Sequence, residues 1–317
     1  MAPLKFLEEL YPFIDSNFLT FCASHGIFTV EDFLIHDLYV LAAFAEQQPA
    51  SEKLKQGITQ ILSIIDVTER QPWLNGLELL EDARENKHIL SIGFERVDVL
   101  LGGGLREGQL TEIVGPSSSG KTQVCLRAAS NVAKNYNAEV FYVDTGNSFS
   151  PQRISGFVNW KPGTALDWQV MSSISCHSVF DIFALFDVLH RLEFNLRSQV
   201  HSNIMHLRVQ FLIIDSISSL ITPILGGSSS QGHALMISAG TLLKKIAHEH
   251  NIAVLVTNHT VGGDRGTSKP ALGESWKSVP HVRLQLSRDA GSNVYQASIL
   301  KHSSMASGTA ARFVMYE

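Results

Sequence analysis

The chain has 317 residues, 44% of them hydrophobic and 17% charged, a composition that supports a full buried core and excludes a disordered tail protein. No apolar run approaches the roughly 20 residues a bilayer span needs, and the opening MAPLKFLEEL lacks a basic-then-apolar signal pattern, so the sequence predicts a chain neither secreted nor membrane-spanning. The net charge of −5 lies entirely in residues 1–65, with three basic and eight acidic side chains; the remaining 252 residues balance at 22 against 22, which excludes a nucleic-acid binder that works by bulk charge.

In chain order, residues 1–65 carry apolar side chains at helical spacing, Phe18 with Phe21 and Cys22, Val30 with Phe33, Leu38 with Leu41, and Ile58 with Ile61, punctuated by Gly26 and Pro49. They predict a small helical N-terminal domain. Residues 66–87 contain Pro72 and Gly76 but also Trp73, Leu74, Leu77 and Leu80, more apolar than an inert tether, and read as a linker that docks on a partner. From residue 88 the pattern changes to strands at 109–114, 140–143, 211–214 and 253–256 alternating with helices at 121–135, 180–197 and 233–250. Such alternation predicts an α/β core over 88–317, a mainly parallel sheet with helices on both faces. Three strand-like runs at 282–286, 295–300 and 312–315, with no room for helices between them, predict an antiparallel C-terminal extension.

Two smaller readings accompany these. Phe180, Phe183, Phe186 and Phe194 fall at helical spacing and predict core packing rather than a base-stacking platform. Cys22, Cys125 and Cys176 are odd in number and without C-x-x-C pairing, so they predict buried thiols, not a disulfide framework or zinc module.

The chemistry concentrates in Gly115-Pro116-Ser117-Ser118-Ser119-Gly120-Lys121-Thr122, set between the run QLTEIV and a helix-compatible run. Glycines at both ends let the backbone turn so that successive N–H groups and a helix N-terminus face a polyphosphate. Lys121 would lie against the β and γ phosphates, Thr122 would ligate Mg²⁺, and Gln123 follows on the helix. The run Phe211-Leu212-Ile213-Ile214 ends in Asp215, a second Mg²⁺ ligand if that strand lies beside the phosphate-loop strand.

With Val140-Phe141-Tyr142-Val143-Asp144-Thr145-Gly146 and Val256-Thr257-Asn258-His259, these segments resemble the core of RecA-family recombinases. The likeness extends through HGIFTVEDFL, LSIGFERVDVLLGGGLREGQLTEIVG and KPALGESW, almost the whole chain, and looks most like the D-type eukaryotic recombinase paralogues. The resemblance implies a RecA-like P-loop ATPase core that takes ATP and Mg²⁺, a nuclear role in homologous-recombination DNA repair, and sister paralogues as partners in a hetero-oligomer. It implies that His259 stands near the γ-phosphate. It also places Arg153 against the adenine, although Arg153 reads equally as a solvated arginine at a helix start.

The departures matter as much. The family's water-orienting glutamate is replaced by Gly146, which cannot accept a proton; Asp144, two residues earlier on an alternating strand, is a candidate substitute of shorter reach. Residues 222–233, where the family places its first DNA loop, contain no Lys or Arg, and the second loop, 260–280, has Arg265, Lys269 and Lys277 against Asp264 and Glu274. These features predict ATP binding with slow hydrolysis and weak intrinsic binding of single-stranded or branched DNA. The acidic N-terminal domain suits a protein with a basic face better than duplex DNA. The competing readings are an active DNA-dependent ATPase that forms its own strand-exchange filament, against which Gly146 argues, and a small-molecule kinase, for which no acceptor pocket is required by the sequence.

Overall fold

The computed structural model describes residues 3–8, 11–69, 75–85, 88–136, 138–158, 165–199, 208–225, 230–262, 268–289 and 291–315. Two compact units emerge, Met1–Leu79 with His190–Phe194, and Leu80–Leu189 with Asn195–Glu317. Among the described residues no helix is long and apolar enough to cross a membrane.

The first unit is built on helices Ser16–Ser24, Val30–Ile35, Leu38–Glu46 and Ser51–Glu69. Three of them begin at a capping acid or a box containing one. Asp15 accepts from Phe18 N at 2.8 Å, Thr29 and Asp32 cap each other reciprocally, and Asp37 accepts from Tyr39 N at 2.9 Å. Phe18, Phe33 and Ile61 are buried beneath them. Three of this unit's acids are therefore committed to helix starts, and a fourth, Glu46, pairs with Lys55 at 2.6 Å, so part of the acidic excess has a structural origin. In the linker, Trp73 and Leu74 lie outside the described residues; Leu77 and Leu80 are exposed on the helix Gly76–Glu85.

The second unit holds a two-residue ladder of β1 (Ile89–Leu90) with β2 (Leu105–Arg106) and a nine-stranded sheet. Its strands are β3 (Leu110–Gly115), β4 (Glu139–Asp144), β5 (Ile174–Ser178), β6 (Val209–Asp215), β7 (Ala253–Gly262), β8 (Ser268–Pro270), β9 (Val282–Arg288), β10 (Val294–Lys301) and β11 (Ala310–Val314). Their order is β11-β10-β9-β3-β7-β6-β4-β5, with β8 paired antiparallel to the end of β7. The expected mainly parallel sheet with an antiparallel extension is present. Every residue of β3 is buried, Thr111 and Glu112 included, as are Phe211–Ile214 and Val254–Val256, and burial on both faces is why the last two read as continuous apolar runs. The helices Lys121–Asn135, Ile182–Gln199 and Ser230–His250 account for the three helical patterns.

Four details depart from the sequence reading. The strand at 282 pairs parallel with β3, Thr111 opposite Val282, because the short helix Gly273–Lys277 lies in the crossover before it; the antiparallel part begins only at β10. Strand β5, sequence ISCHS, has no apolar run to announce it, since it is an edge strand and largely exposed. Cys176 sits on it and is exposed, whereas Cys22 and Cys125 are buried as expected. Finally, Phe180 and Phe183 are exposed rather than core residues: Phe180 precedes the helix Ile182–Gln199, whose inward stripe runs through Ile182, Leu185 and Leu189, and position 183 lies about 100° off it.

The joint between β3 and the segment before β9 generates a test. Leu110 N donates to His281 Nδ1 at 2.9 Å, which requires that nitrogen to be unprotonated. Burial, with Lys244 and Lys301 acting in the same sense, holds the His281 pKa below the ordinary histidine value. The unfolded chain then binds more protons than the folded one below about pH 6.5, so stability is full above that pH and falls as pH drops through it. The melting temperature is expected to fall between pH 7.5 and 6, and to fall less in His281→Asn, as followed by circular dichroism melts.

Candidate functional site

The carboxyl ends of four neighbouring parallel strands stand in the order β3-β7-β6-β4. The strand that ends in Asp215 therefore does not lie directly beside the phosphate-loop strand as expected: β7 is inserted between them, and Asp215 still reaches the same edge. Gly115 at the end of β3 is level with His259 on β7, and Asp215 at the end of β6 is level with Asp144 at the end of β4. A crevice outside the carboxyl edge of such a sheet is where α/β folds place ligands.

The loop that leaves β3 is fitted to its surroundings. A Cβ on Gly115 would lie 2.5 Å from Leu286 O, and one on Gly120 would lie 2.8 Å from the Tyr295 ring and 2.9 Å from Met315 Cε. Gly120 also has φ +91°, the left-handed region that glycine tolerates, and Ser118 adopts φ +61°. From Gly120 the helix Lys121–Asn135 starts with its free N–H groups at the crevice. Lys121 is buried, its Nζ donating to Gly115 O and Pro116 O at 2.8 Å each, and burial lowers its pKa despite the opposing pull of Asp215. Ser119 Oγ is buried with no partner among the described residues.

A cavity of about 390 Å³ opens over this loop. Ser117, Ser118, Gly120, Lys121, Thr122, Gln123, Arg153, Asp215 and His259 line it, so the sequence-predicted residues, Gly115, Pro116, Ser119 and Asp144 aside, share one cavity. Arg153, on the helix Pro151–Phe157, also borders a larger adjoining cavity of about 1350 Å³. The sequence reading missed Arg288, Tyr295 and Met315, which close the far wall, Arg288 lying 5.4 Å from the Tyr295 ring centroid. It also missed the hydroxyls that aim Asp215: Thr257 Oγ1 donates to Oδ1 at 2.6 Å and Tyr142 OH to Oδ2 at 3.1 Å. Tyr142 and Thr257 lie in the quoted segments, but only the sheet order, with β6 between β4 and β7, shows that they face Asp215.

His259 is partly exposed, with Nε2 3.2 Å from Ser216 Oγ, and its backbone N–H donates to Ser218 Oγ at 3.0 Å. Burial, then Lys121, lowers its pKa, which favours a neutral ring able to donate one hydrogen bond toward an anion. The buried lysine, the orphaned Ser119 hydroxyl and a cradle that a Cβ would fill fit a polyphosphate. Thr122 and Asp215 supply the oxygen donors that a hard divalent cation prefers.

Asp144 has a different job from that of a substitute base. Its Oδ1 accepts from Gly146 N and Ser148 N at 3.1 Å each, and its Oδ2 from Phe149 N at 2.9 Å. The strand ends at Asp144, so strand alternation does not carry on to Gly146, and this carboxylate staples the following turn instead. Gly146 is exposed, a Cβ added to it would meet nothing within 4 Å, and its φ is not left-handed. The expected first loop is also shorter than the sequence suggested. The helix Ile217–Leu225 runs through its first four residues and another begins at Ser230; residues 226–229 lie outside the described residues. In the second, Lys269 is on β8, Lys277 pairs with Glu274 at 3.3 Å, and Arg265 lies outside the described residues.

Comparison with known proteins adds sequence kinship to this geometry. The Rad51 family model matches residues 83–301. The chain is 36% identical over 279 residues to a cattle (Bos taurus) protein named DNA repair protein RAD51 homolog 4, covering 87% of this chain and 83% of that one. It is 31% identical over 246 residues to a Dictyostelium discoideum protein named probable DNA repair protein RAD51 homolog 4, covering 67% and 70%. Over 225 residues it is 27% identical to the DNA repair and recombination protein RadB of Archaeoglobus fulgidus, covering 69% and 92%.

The contrast between residues 144 and 146 predicts opposite mutational costs. Asp144→Ala removes the acceptor of three part-buried turn amides, those of Gly146, Ser148 and Phe149, and is expected to lower stability by about 2 kcal/mol in urea unfolding. Gly146→Glu meets open space and is expected to stay within about 0.5 kcal/mol of the wild type.

Proposed function

This chain belongs to the Rad51 family, and from that membership we propose that it is a D-type recombinase paralogue that binds ATP with Mg²⁺ and serves as one subunit of a nuclear homologous-recombination repair complex. The observation that carries the reading is the meeting of the 115–122 loop, Asp215 and His259 at one sheet edge, beside a position 146 that holds no side chain. The relatives named RAD51 homolog 4 support the D type and the repair role.

In this reading Lys121 leaves the two loop carbonyls to pair with the β and γ phosphates, while the loop and helix N–H groups cradle them. Thr122 and Asp215 hold Mg²⁺, which supplies charge neutralisation across the phosphates, and Tyr142 and Thr257 keep the Asp215 carboxylate aimed. Arg153 faces the base from the wall shared by the two cavities, and His259 donates to the γ-phosphate. Water attack lacks a positioned proton acceptor, since Gly146 has none to offer and Asp144 is committed to its turn. A missing base costs roughly 10²–10⁴ in rate, so the nucleotide acts first as a structural ligand.

The subunit role draws on surfaces that a lone chain leaves open. We assign the helical domain to 1–65, the docking linker to 66–87 and the ATP-binding core to 88–317. Leu77, Leu79 and Leu80 are exposed on the linker helix, and Trp168, Phe180 and Phe183 are exposed near the open edge strand β5. Sister paralogues are the partners this reading expects. The scarcity of cations in 222–233 and 260–280 argues for weak DNA binding by this subunit alone.

The test is nucleotide binding, turnover with single-stranded DNA, and co-purification with sister paralogues, for the wild type, Lys121→Ala and Gly146→Glu. Expected are bound but slowly turned over ATP in the wild type, loss of binding and weakened assembly in Lys121→Ala, and faster turnover in Gly146→Glu. Turnover by the wild type at the rate of a strand-exchanging recombinase, or intact assembly of Lys121→Ala, would overturn the reading.

A further inference from the structure

The far wall of the phosphate cavity holds a cation to which the nucleotide reading gives no work. Arg288 is the last residue of β9, and it lines the same cavity as Lys121, Asp215 and His259. Its Nε donates to Ser292 O at 2.8 Å and its Nη2 to Asn293 Oδ1 at 3.3 Å, both in the turn that leads to β10. Tyr295, its partner across the β9–β10 pair, sets a ring 5.4 Å from the guanidinium carbon. Among the described residues no carboxylate pairs with it.

An arginine held in this way is prepared for an anion. A guanidinium has five N–H donors and keeps its charge at any working pH; the turn takes two of them, and the rest stay free. Its support is fixed by the loop itself, since a Cβ on Gly120 would lie 2.8 Å from the Tyr295 ring. Charge points the same way. A fully ionised triphosphate carries about four negative charges, one on each inner phosphate and about two on the terminal one. The charges of Lys121 and Asp215 cancel and Mg²⁺ supplies two, so the set is complete only when the rim arginines, Arg153 and Arg288, are counted.

Sheet order decides which part of the nucleotide this cation meets. On one side of β3 stand β7 and β6, which bring His259 and Asp215; on the other stand β9 and β10, which bring Arg288 and Tyr295. The γ-phosphate and Mg²⁺ belong to the first side. The second adjoins the nucleoside, because Met315, which shares the far wall with Arg288, also lines the larger cavity with Gln123 and Arg153.

We propose that Arg288 is a nucleotide-binding residue supplied by the β9–β10 hairpin, a guanidinium clamp on the α- and β-phosphates that holds ADP as firmly as ATP. The inference rests on the nucleotide reading above and deepens it. A contact to phosphates that survive cleavage of the γ-phosphate does nothing to distinguish substrate from product. Its effect is retention: a nucleotide that is cleaved slowly also leaves slowly, and the subunit stays liganded in both states.

The experiment titrates the full chain in Mg²⁺ with fluorescent ADP and with a fluorescent ATP analogue whose β,γ-bridge resists cleavage, for the wild type, Arg288→Met and Arg288→Lys. Arg288→Met keeps the stem that covers Tyr295 and removes every donor. It is expected to weaken both nucleotides by roughly 10-fold or more, and by the same factor within about 2-fold, chiefly through faster release. Arg288→Lys keeps the charge without the fork and is expected to lose about 3-fold or more for both. Equal affinity of the wild type and Arg288→Met overturns the proposal and marks a merely solvated arginine; a loss confined to the ATP analogue overturns it by placing the contact at the γ-phosphate. If Arg288→Met melts early, Arg288→Lys decides alone. A wild type that binds neither nucleotide sinks the nucleotide reading itself, whereas normal wild-type binding left untouched by Arg288→Met sinks this clamp only.

Discussion

The close approach of two backbones governs this molecule. The loop after β3 passes so near the carbonyl of Leu286 and the side chains of Tyr295 and Met315 that positions 115 and 120 have no room for a side chain. That crowding bends the chain through left-handed conformations at Ser118 and Gly120 and points the first turn of the Lys121–Asn135 helix at the crevice. The C-terminal strands are therefore part of the site as well as part of the scaffold. Enclosure by this wall and loop strips solvent from Lys121 and disfavours its charge, and the two loop carbonyls it rests on offset part of that cost.

Two carboxylates within this edge show how position, not residue type, sets the work a side chain does. Asp215 is held by two hydroxyl donors from flanking strands and lies open to the cavity, so it retains capacity for a cation. Asp144, one strand away and level with it, has its oxygens filled by the amides of the turn it begins. Glu112, three residues before the loop, is different again, a buried acceptor that joins β3, β7, β9 and the helix before β9.

Much of this is legible in the amino-acid order because local physics makes it so. Phe211 to Ile214 and Val254 to Val256 are covered on both faces and read as apolar runs, and the 115–122 loop demands glycines and a lysine at fixed offsets. The rest depends on neighbours far away in the chain. Nothing near Tyr295 or Met315 reveals that they face Gly120, and nothing near Thr257 reveals that it donates to Asp215; sheet order decides both. Strand β5 hides because an edge tolerates ISCHS, and Phe180 and Phe183 mislead because apolar spacing says that a helix has an inner stripe, without saying which aromatic residues lie on it. Asp144 resembles a base only while alternation is carried past the end of its strand, where the chain has already turned.

The helix caps of the N-terminal unit bear on how it meets other molecules. Asp15, Asp32 and Asp37 already solvate the amide ends of their own helices, and Glu46 is matched by Lys55. Capping fixes where these carboxylates sit but does not cancel them, so residues 1–65 keep their net −5, a field that physiological salt screens beyond roughly 8 Å. Collisions with a basic surface would then be steered at short range, and the arrival rate of a companion should fall as ionic strength rises.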